Sequence, residues 1–172
     1  MSEVLKKIKE RRSIRKFLKK EIKKEILENL IEALIWAPSA GNLQARKFYF
    51  VLNEKIKREI AKAAFNQNFI YEAPLVIVAC ADLEKISWYG ERGKNLYCIC
   101  DVAASIENLM ILAQDFDLGT CWVGSFDEKK VSQILNLPEN LKPIAIVPVG
   151  YPAKIPSPPE RVKKEEAIEF IE

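Results

Sequence analysis

Pro74 followed by Leu75-Val76-Ile77-Val78-Ala79-Cys80 is the stretch that most constrains how this chain can fold. An unbroken apolar run of this length, entered through a proline, reads as a strand buried on both faces. Such a strand needs a layer packed on each side, and the neighbouring patterns supply those layers. Ile26, Leu27, Leu30, Ile31, Leu34 and Ile35 recur at helical spacing, predicting a helix from about Lys23 to Ala37 that Pro38 stops. A longer helix is predicted over 96–117, with Ile99, Ala103, Ile106, Met110 and Ala113 on one face and Gly119 as its left-handed cap. Further helices are predicted over 3–12 behind Ser2, from Asn53 to about Phe65, and from Asp127 to about Leu135. Strands are predicted over 47–52, 120–124 and 143–149. Residues 82–94 read as a polar loop carrying Trp88 and Tyr89, which can border a ligand site. The Pro-rich 152–159 reads as an extended linker, and 167–171 as a possible additional strand. The expected architecture is one α+β domain over 1–172, with about four core strands, helices on both faces and an arm over 152–172.

Composition narrows the function. Nearly half of the 172 residues are apolar, so the chain can build a core. The formal net charge is only +3, with basic residues spread along the chain, which argues against a nucleic-acid binder. No apolar run reaches membrane-spanning length and the N-terminus is polar, so a soluble, cytoplasmic protein without membrane attachment is expected. Abundant Lys and Glu with frequent Ile lean toward a thermophile. Cys80, Cys98, Cys100 and Cys121 form no C-x-x-C pair, and histidine is absent. Cys/His zinc sites and His-containing triads are therefore not expected, and the cysteines read as small buried apolar residues. Any proton must move through another side chain, water or a cofactor.

Two segments carry the chemistry. Arg11-Arg12-Ser13-Ile14-Arg15-Lys16-Phe17 joins four cations and a hydroxyl to two apolar anchors. It reads either as a rigid anion site, with guanidinium forks gripping phosphate oxygens, or as a helix C-terminus whose cations answer the macrodipole. Ala37-Pro38-Ser39-Ala40-Gly41-Asn42-Leu43-Gln44 follows one helix later.

Together with Glu72-Ala73-Pro74, Asp101-Val102-Ala103-Ala104, Leu118-Gly119-Thr120-Cys121-Trp122-Val123-Gly124, Pro148-Val149-Gly150-Tyr151-Pro152 and Arg161, these segments resemble the nitroreductase family of FMN-dependent oxidoreductases. The likeness runs in order along nearly the whole chain. It implies a three-layer α-β-α sandwich with a mainly antiparallel sheet, in an intertwined homodimer with exchanged C-terminal tails. It implies FMN as cofactor and NAD(P)H as co-substrate, and a small-molecule electron acceptor such as a nitroaromatic or quinone. Hydride would pass through flavin N5 by a ping-pong scheme, with no catalytic side chain required. By the same resemblance Arg11, Arg12, Ser13 and Arg161 would meet the phosphate and ribityl chain, and Arg15 the N1–O2 region. Pro38, Ser39, Asn42 and Gln44 would come from the partner subunit to the ring edge. The Gly124 main chain would meet N5, Ser125 O4, and Gln67 or Asn66 the pyrimidine edge. Without that context, Gly124 reads as a strand-end turn.

The chain departs from the family pattern in two places. Gln44 is followed by Ala45-Arg46 where the family has Pro-Trp, leaving Arg46 as a substrate-anion contact or a salt-bridged surface residue. Pro159 stands where some members carry a Lys, so the phosphate would rest more on Arg11 and Arg161. A non-catalytic flavin or nucleotide carrier on the same fold, and a basic RNA-binding module, are the competing readings. No Gly-rich dinucleotide fingerprint is present.

Overall fold

A computed structural model describes residues 1–172. Its elements are α1 (Glu3–Glu10), α2 (Lys24–Ile35), β1 (Arg46–Val51), α3 (Glu54–Ala63), α4 (Phe69–Glu72), β2 (Leu75–Asp82), α5 (Gly90–Arg92), α6 (Cys98–Leu112), β3 (Gly119–Thr120), α7 (Glu128–Ile134), β4 (Leu141–Gly150) and α8 (Lys164–Ala167).

The apolar run is an inner strand, as its pattern predicts. β2 pairs antiparallel with both β1 and β4, in a four-stranded sheet of order β1-β2-β4-β3. Alternation splits its side chains between two cores. Leu75, Ile77, Ala79 and Ala81 join Leu30 and Leu34 of α2 and Val102, Ile106 and Leu109 of α6. Val76, Val78 and Cys80 join Ile60 of α3 and Val131 of α7 on the opposite face. The result is helices, sheet, helices.

β4 carries two prolines although it is an inner strand, and each sits where the ladder is interrupted. At Pro143 the register slips, from Ala79↔Ala145 to Cys80↔Pro143, so a bulge absorbs the missing N–H. The Pro148 carbonyl accepts from Cys121 N–H at 3.4 Å, so its side of the ladder faces β3. In an antiparallel pair a residue's N–H and C=O point the same way, so the missing donor also faces β3. β3 therefore stops after Thr120, and contact resumes only at the Val123–Ile146 bridge.

Caps follow the sequence closely. Ser2 Oγ accepts from Leu5 N–H, Asn53 Oδ1 from Lys55 and Ile56 N–H, and Asp127 Oδ1 from Lys130 N–H.

Several expectations are corrected. Residues 82–94 are not an open loop. Helical turns begin at Ser87 and run through a π-type turn at Gly93–Tyr97 into α6. The stretch Ser87–Phe116 is long and apolar enough to cross a membrane by length and composition alone, but much of it packs in the core. The buried residues of α6 are Cys98, Asp101, Val102, Ser105, Ile106, Leu109 and Met110; of the stripe read from spacing, Ile106, Met110 and Ala113 are buried, while Ile99 and Ala103 are only half-buried. Gly119 does not cap this helix. Asp117 takes the left-handed position at φ 56°, and Leu118 N–H closes onto Ala113 O at 2.9 Å. Gly119 instead lies in β3 against Ile14, where any Cβ would collide with the Ile14 side chain. Residues 167–171 pair with no strand; α8 ends there and the tail is exposed. Cys100 is exposed, unlike the other three cysteines.

Candidate functional site

Residues 11–17 lie along the β3 edge. Ser13 bridges Thr120 in parallel, Ile14 N–H donates to Thr120 O at 2.9 Å, and Phe17 bridges Pro152. Ile14 and Phe17 are buried with Ala73, which anchors the segment as their spacing predicts. In an extended chain residues two apart share a side, so Arg11, Ser13 and Arg15 fall together, opposite Ile14. All three act on the Cys121 thiol. Burial pushes that thiol up, while Arg15, a Ser13 hydrogen bond and Arg11 pull it back.

The cations have different occupations. Arg12 Nη1 donates to Lys9 O at 2.7 Å and Arg11 O at 2.8 Å, closing the α1 C-terminus. Arg15 is exposed, with its guanidinium 5.8 Å from the Phe69 ring centre. Arg11 reaches Glu107 only at 3.8 Å through Nε, and its Nη1 is buried without any hydrogen-bond partner. Arg12 thus serves the helix end, as the macrodipole reading expects, while Arg11 keeps an unused buried donor that the anion-site reading could employ.

The edge leads on to Gly124. Gly124 and Ser125 are exposed, and Gly124 N–H donates to no protein acceptor, unlike Val123 N–H, which is held by Ile146 O. Gln67 Nε2 donates to Ala64 O at 2.9 Å and Ser125 O at 3.0 Å. Its amide therefore braces this turn from the end of α3, where Phe65 and Asn66 are wound left-handed. Thr120 to Gly124 spans roughly 13 Å at about 3.3 Å per residue. A guanidinium, a hydroxyl and a free main-chain donor thus lie along one edge of the sheet, half-buried at Arg11 and Ser13 and exposed at Gly124.

The second segment lies elsewhere. Pro38, Ser39, Asn42 and Gln44 occupy the loop between α2 and β1, at the opposite outer strand of the sheet. Gly41, Asn42 and Gln44 all have positive φ, near 50°. Ser39 Oγ accepts from Gln44 N–H at 3.0 Å, and Ala40 N–H donates to Asp101 Oδ1 at 2.9 Å. Asn42 and Gln44 point at no core; both are exposed.

Arg46 is neither an anion contact nor a surface ion-pair partner. Its guanidinium gathers the carbonyls of Ile35, Ala37, Pro38 and Asp101 at 2.7–3.4 Å. Burial lowers its pKa, and the nearby Asp101 charge opposes that.

Arg161 lies in the exposed tail and donates only to Glu160 O. Trp88 is 87% exposed, while the Tyr89 hydroxyl lies against Gly41. Sequence reasoning assigns no role to Asp101, whose signal is an acidic residue on the buried face of an apolar helix.

The sequence model of the nitroreductase family matches residues 8–69 and 62–151. A protein of Archaeoglobus fulgidus, provisionally named an NADH dehydrogenase/NAD(P)H nitroreductase, is 32% identical over 156 residues, spanning 88% of this chain and 87% of that relative. An FMN reductase (NAD(P)H) of Bacillus subtilis is 27% identical over 179 residues, spanning 96% of this chain and 72% of the relative. A crystal structure from Parabacteroides distasonis, its protein also provisionally named an NADH dehydrogenase/NAD(P)H nitroreductase, superimposes with a TM-score of 0.87 at 26% identity. It covers 99% of this chain and 98% of that one.

Proposed function

This chain belongs to the nitroreductase family, and we propose that it is an FMN-dependent oxidoreductase taking electrons from NAD(P)H. The observation that carries this reading is Arg11 Nη1, a buried donor with no partner. Leaving such a donor unpaired costs about 1–3 kcal/mol, and a phosphate oxygen relieves that cost with a charge-assisted bond. Ser13 and Arg15 share that side of the segment, and Arg12 keeps its remaining donors. The donor set therefore fits a terminal phosphate.

Arg11, Arg12 and Ser13 would hold the phosphate and ribityl chain. Arg15 would bring positive charge to the N1–O2 region, Gly124 N–H and Ser125 would meet N5 and O4, and Gln67 the pyrimidine edge. FMN, when bound, supplies the two-electron chemistry, taking hydride from NAD(P)H and passing it to a nitroaromatic, quinone or related acceptor. The chain's own part is to bind, to orient through Gly124, and to favour the reduced, anionic flavin through the Arg15 charge. No histidine is needed for it.

Within one chain, the loop 38–44 and the Arg11–Gly124 line stand on opposite outer strands of the sheet. Three strand spacings separate those strands, roughly 14 Å. A ring edge lined by Ser39, Asn42 and Gln44 is therefore supplied by a second copy, and we read the functional unit as a homodimer of single-domain chains. The exposed tail, with Ile168 at 59% and Phe170 at 87% exposure, has no partner within its own chain. In the dimer it crosses over and brings Arg161 to the phosphate.

Two measurements test this reading. Double-reciprocal plots of NAD(P)H oxidation at several quinone concentrations should be parallel, with excess quinone competing against NAD(P)H. Intersecting plots contradict a shared pocket. The FMN-loaded protein should sediment as a dimer; a monomer retaining FMN contradicts the two-copy site.

A further inference from the structure

The turn after α2 has three features that ought to make it loose. The helix ends at Ile35 with Trp36 N–H on Glu32 O, and Pro38 beyond it has no N–H with which to tie the chain back. Gly41, Asn42 and Gln44 are wound left-handed, and for non-glycine residues this is costly. Asn42 and Gln44 are exposed, and the Gln44 amide meets only Asn42, at 3.4 Å. The turn has its own short bonds, Gln44 N–H to Ser39 Oγ at 3.0 Å and Asn42 N–H to Ser39 O at 3.0 Å, but what ties it to the rest of the fold comes from outside it, from Arg46 in the next strand and Asp101 far along the chain.

Arg46 opens β1, and its planar fork reaches back over the end of α2. Nη2 donates to Ile35 O at 3.0 Å and Ala37 O at 2.7 Å. Nη1 donates to Pro38 O at 2.9 Å and Asp101 O at 3.4 Å. The first two lie where a helix C-terminus leaves carbonyls without intrahelical partners, the third is where the turn begins, and the fourth belongs to the first turns of α6. Asp101, in the first turns of α6, is 4% exposed. Its Oδ1 accepts from Ala40 N–H at 2.9 Å, and its Oδ2 is buried without a hydrogen-bond partner. A buried carboxylate oxygen left this way is costly, and the Arg46 guanidinium, though not in direct ion-pair contact with it, offsets part of that cost through its charge. Ser105 Oγ donates to the Asp101 carbonyl at 3.0 Å, fixing the helix turn from which the carboxylate projects.

We infer that Arg46 and Asp101 are a positioning pair for the flavin-ring loop. The guanidinium sets where the loop starts, the carboxylate sets its middle, and Ser39, Asn42 and Gln44 are thereby presented to the partner's flavin. This rests on the reading of the loop as the ring-edge half of a two-copy site. It also accounts for the Ala45-Arg46 departure: a bidentate cation from the following strand supplies the rigidity that Pro-Trp would provide from within the loop. Lysine cannot replace it, since a single ammonium has three donors at one point and no fork.

The test uses full-length protein with Arg46→Gln, Arg46→Lys, Asp101→Asn and, as a reference, Arg11→Ala. Hydrogen exchange of the flavin-free protein is read over 38–44, with the β2 peptide 75–80 as internal control. Faster exchange over 38–44 with β2 unchanged is expected in both Arg46 variants, and to a smaller degree in Asp101→Asn, which keeps the shape of the side chain. Flavin binding is then titrated with FMN and with riboflavin, which lacks the phosphate. The Arg46 and Asp101 variants should weaken both ligands alike, by about tenfold, the loss expected from one charge-assisted bond. Arg11→Ala should weaken FMN alone.

Unchanged exchange over 38–44 in every variant overturns the pairing, as does full rescue by Arg46→Lys. Loss of FMN but not riboflavin affinity in the Arg46 variants also overturns it. If wild-type protein binds neither ligand, it is the flavin reading that fails, while hydrogen exchange still decides the clamp. Should Arg46→Gln not fold, Asp101→Asn and Arg46→Lys carry the same comparison.

Discussion

Arg11 and Arg12 are neighbours of the same type with different roles, and that difference is not readable from the sequence. The motif holds two equivalent cations. Only the geometry shows Arg12 closing the α1 C-terminus through Lys9 O and Arg11 O, and Arg11 turned inward with an unpaired Nη1. Lys16 marks the other extreme: its side chain is exposed, and only its backbone carbonyl is used, by Ala153 N–H. Arg11→Ala should therefore weaken FMN binding by about tenfold or more, corresponding to about 1.5–3 kcal/mol for a charge-assisted bond. Lys16→Ala should leave it nearly unchanged. Fluorescence titration of the two variants checks this, and equal small losses would return Arg11 to the role of a solvated helix end. Arg46 teaches the same lesson. Sequence offers a ligand contact or a surface ion pair for it, because the carbonyls it gathers come from a helix end and from residue 101, far away in the chain.

Among the elements, those governed by local chemistry are legible and those governed by packing are less so. Ser2, Asn53 and Asp127 cap the helices they precede because a side-chain oxygen next to free N–H groups needs no tertiary help. The inner strand is legible because an apolar run behind Pro74 has few alternatives. The buried face of α6 is less so. The helix has apolar residues on most of its circumference, so periodicity leaves the buried face broader than one stripe: Ile106, Met110 and Ala113 are buried as spacing suggests, while Ile99 and Ala103 stand aside from Cys98, Val102 and Leu109. Gly119 departs from expectation for a related reason. A glycine after a helix suggests a left-handed cap, yet Asp117 performs that role and Gly119 makes room for Ile14. Gly119→Ala should therefore destabilise the fold by about 1–3 kcal/mol, as overpacking does. Ile14→Ala in the same chain should recover part of the loss. Thermal denaturation of the single and double variants checks this, and a neutral Gly119→Ala would contradict the close approach.

For the molecule as a whole, the two-faced core also sets how stability responds to alkali. Burial pushes the Cys80 thiol from its ordinary value of 9.0 up to about 12, and raises Cys98 and Cys121 as well. Between those two values the unfolded chain has released the Cys80 proton while the folded chain still holds it. The folded state then binds more protons, so this contribution is complete below pH 9.0 and is lost as pH rises toward 12. The slope is about 1.4 kcal/mol per pH unit for one such group at most. Denaturant unfolding at about pH 8 and about pH 10.5 should show the loss, and Cys80→Ala should shrink it; stability that holds or rises would contradict the burial of these thiols.

The architecture is readable because each layer leaves its own periodic trace. The complete site is not, since in the proposed dimer its two halves would meet only across two copies of a chain, and a single sequence records the halves without the junction. What joins Arg11, Gly124 and the loop 38–44 into one site is a single claim, that this protein holds FMN and reduces it with NAD(P)H. The direct measurement is the visible absorption spectrum of the FMN-loaded protein, recorded without air before and after NAD(P)H is added. The expected result is a flavin spectrum that bleaches on addition and returns when a quinone is admitted. A bound flavin that NADH and NADPH both leave unbleached would contradict it.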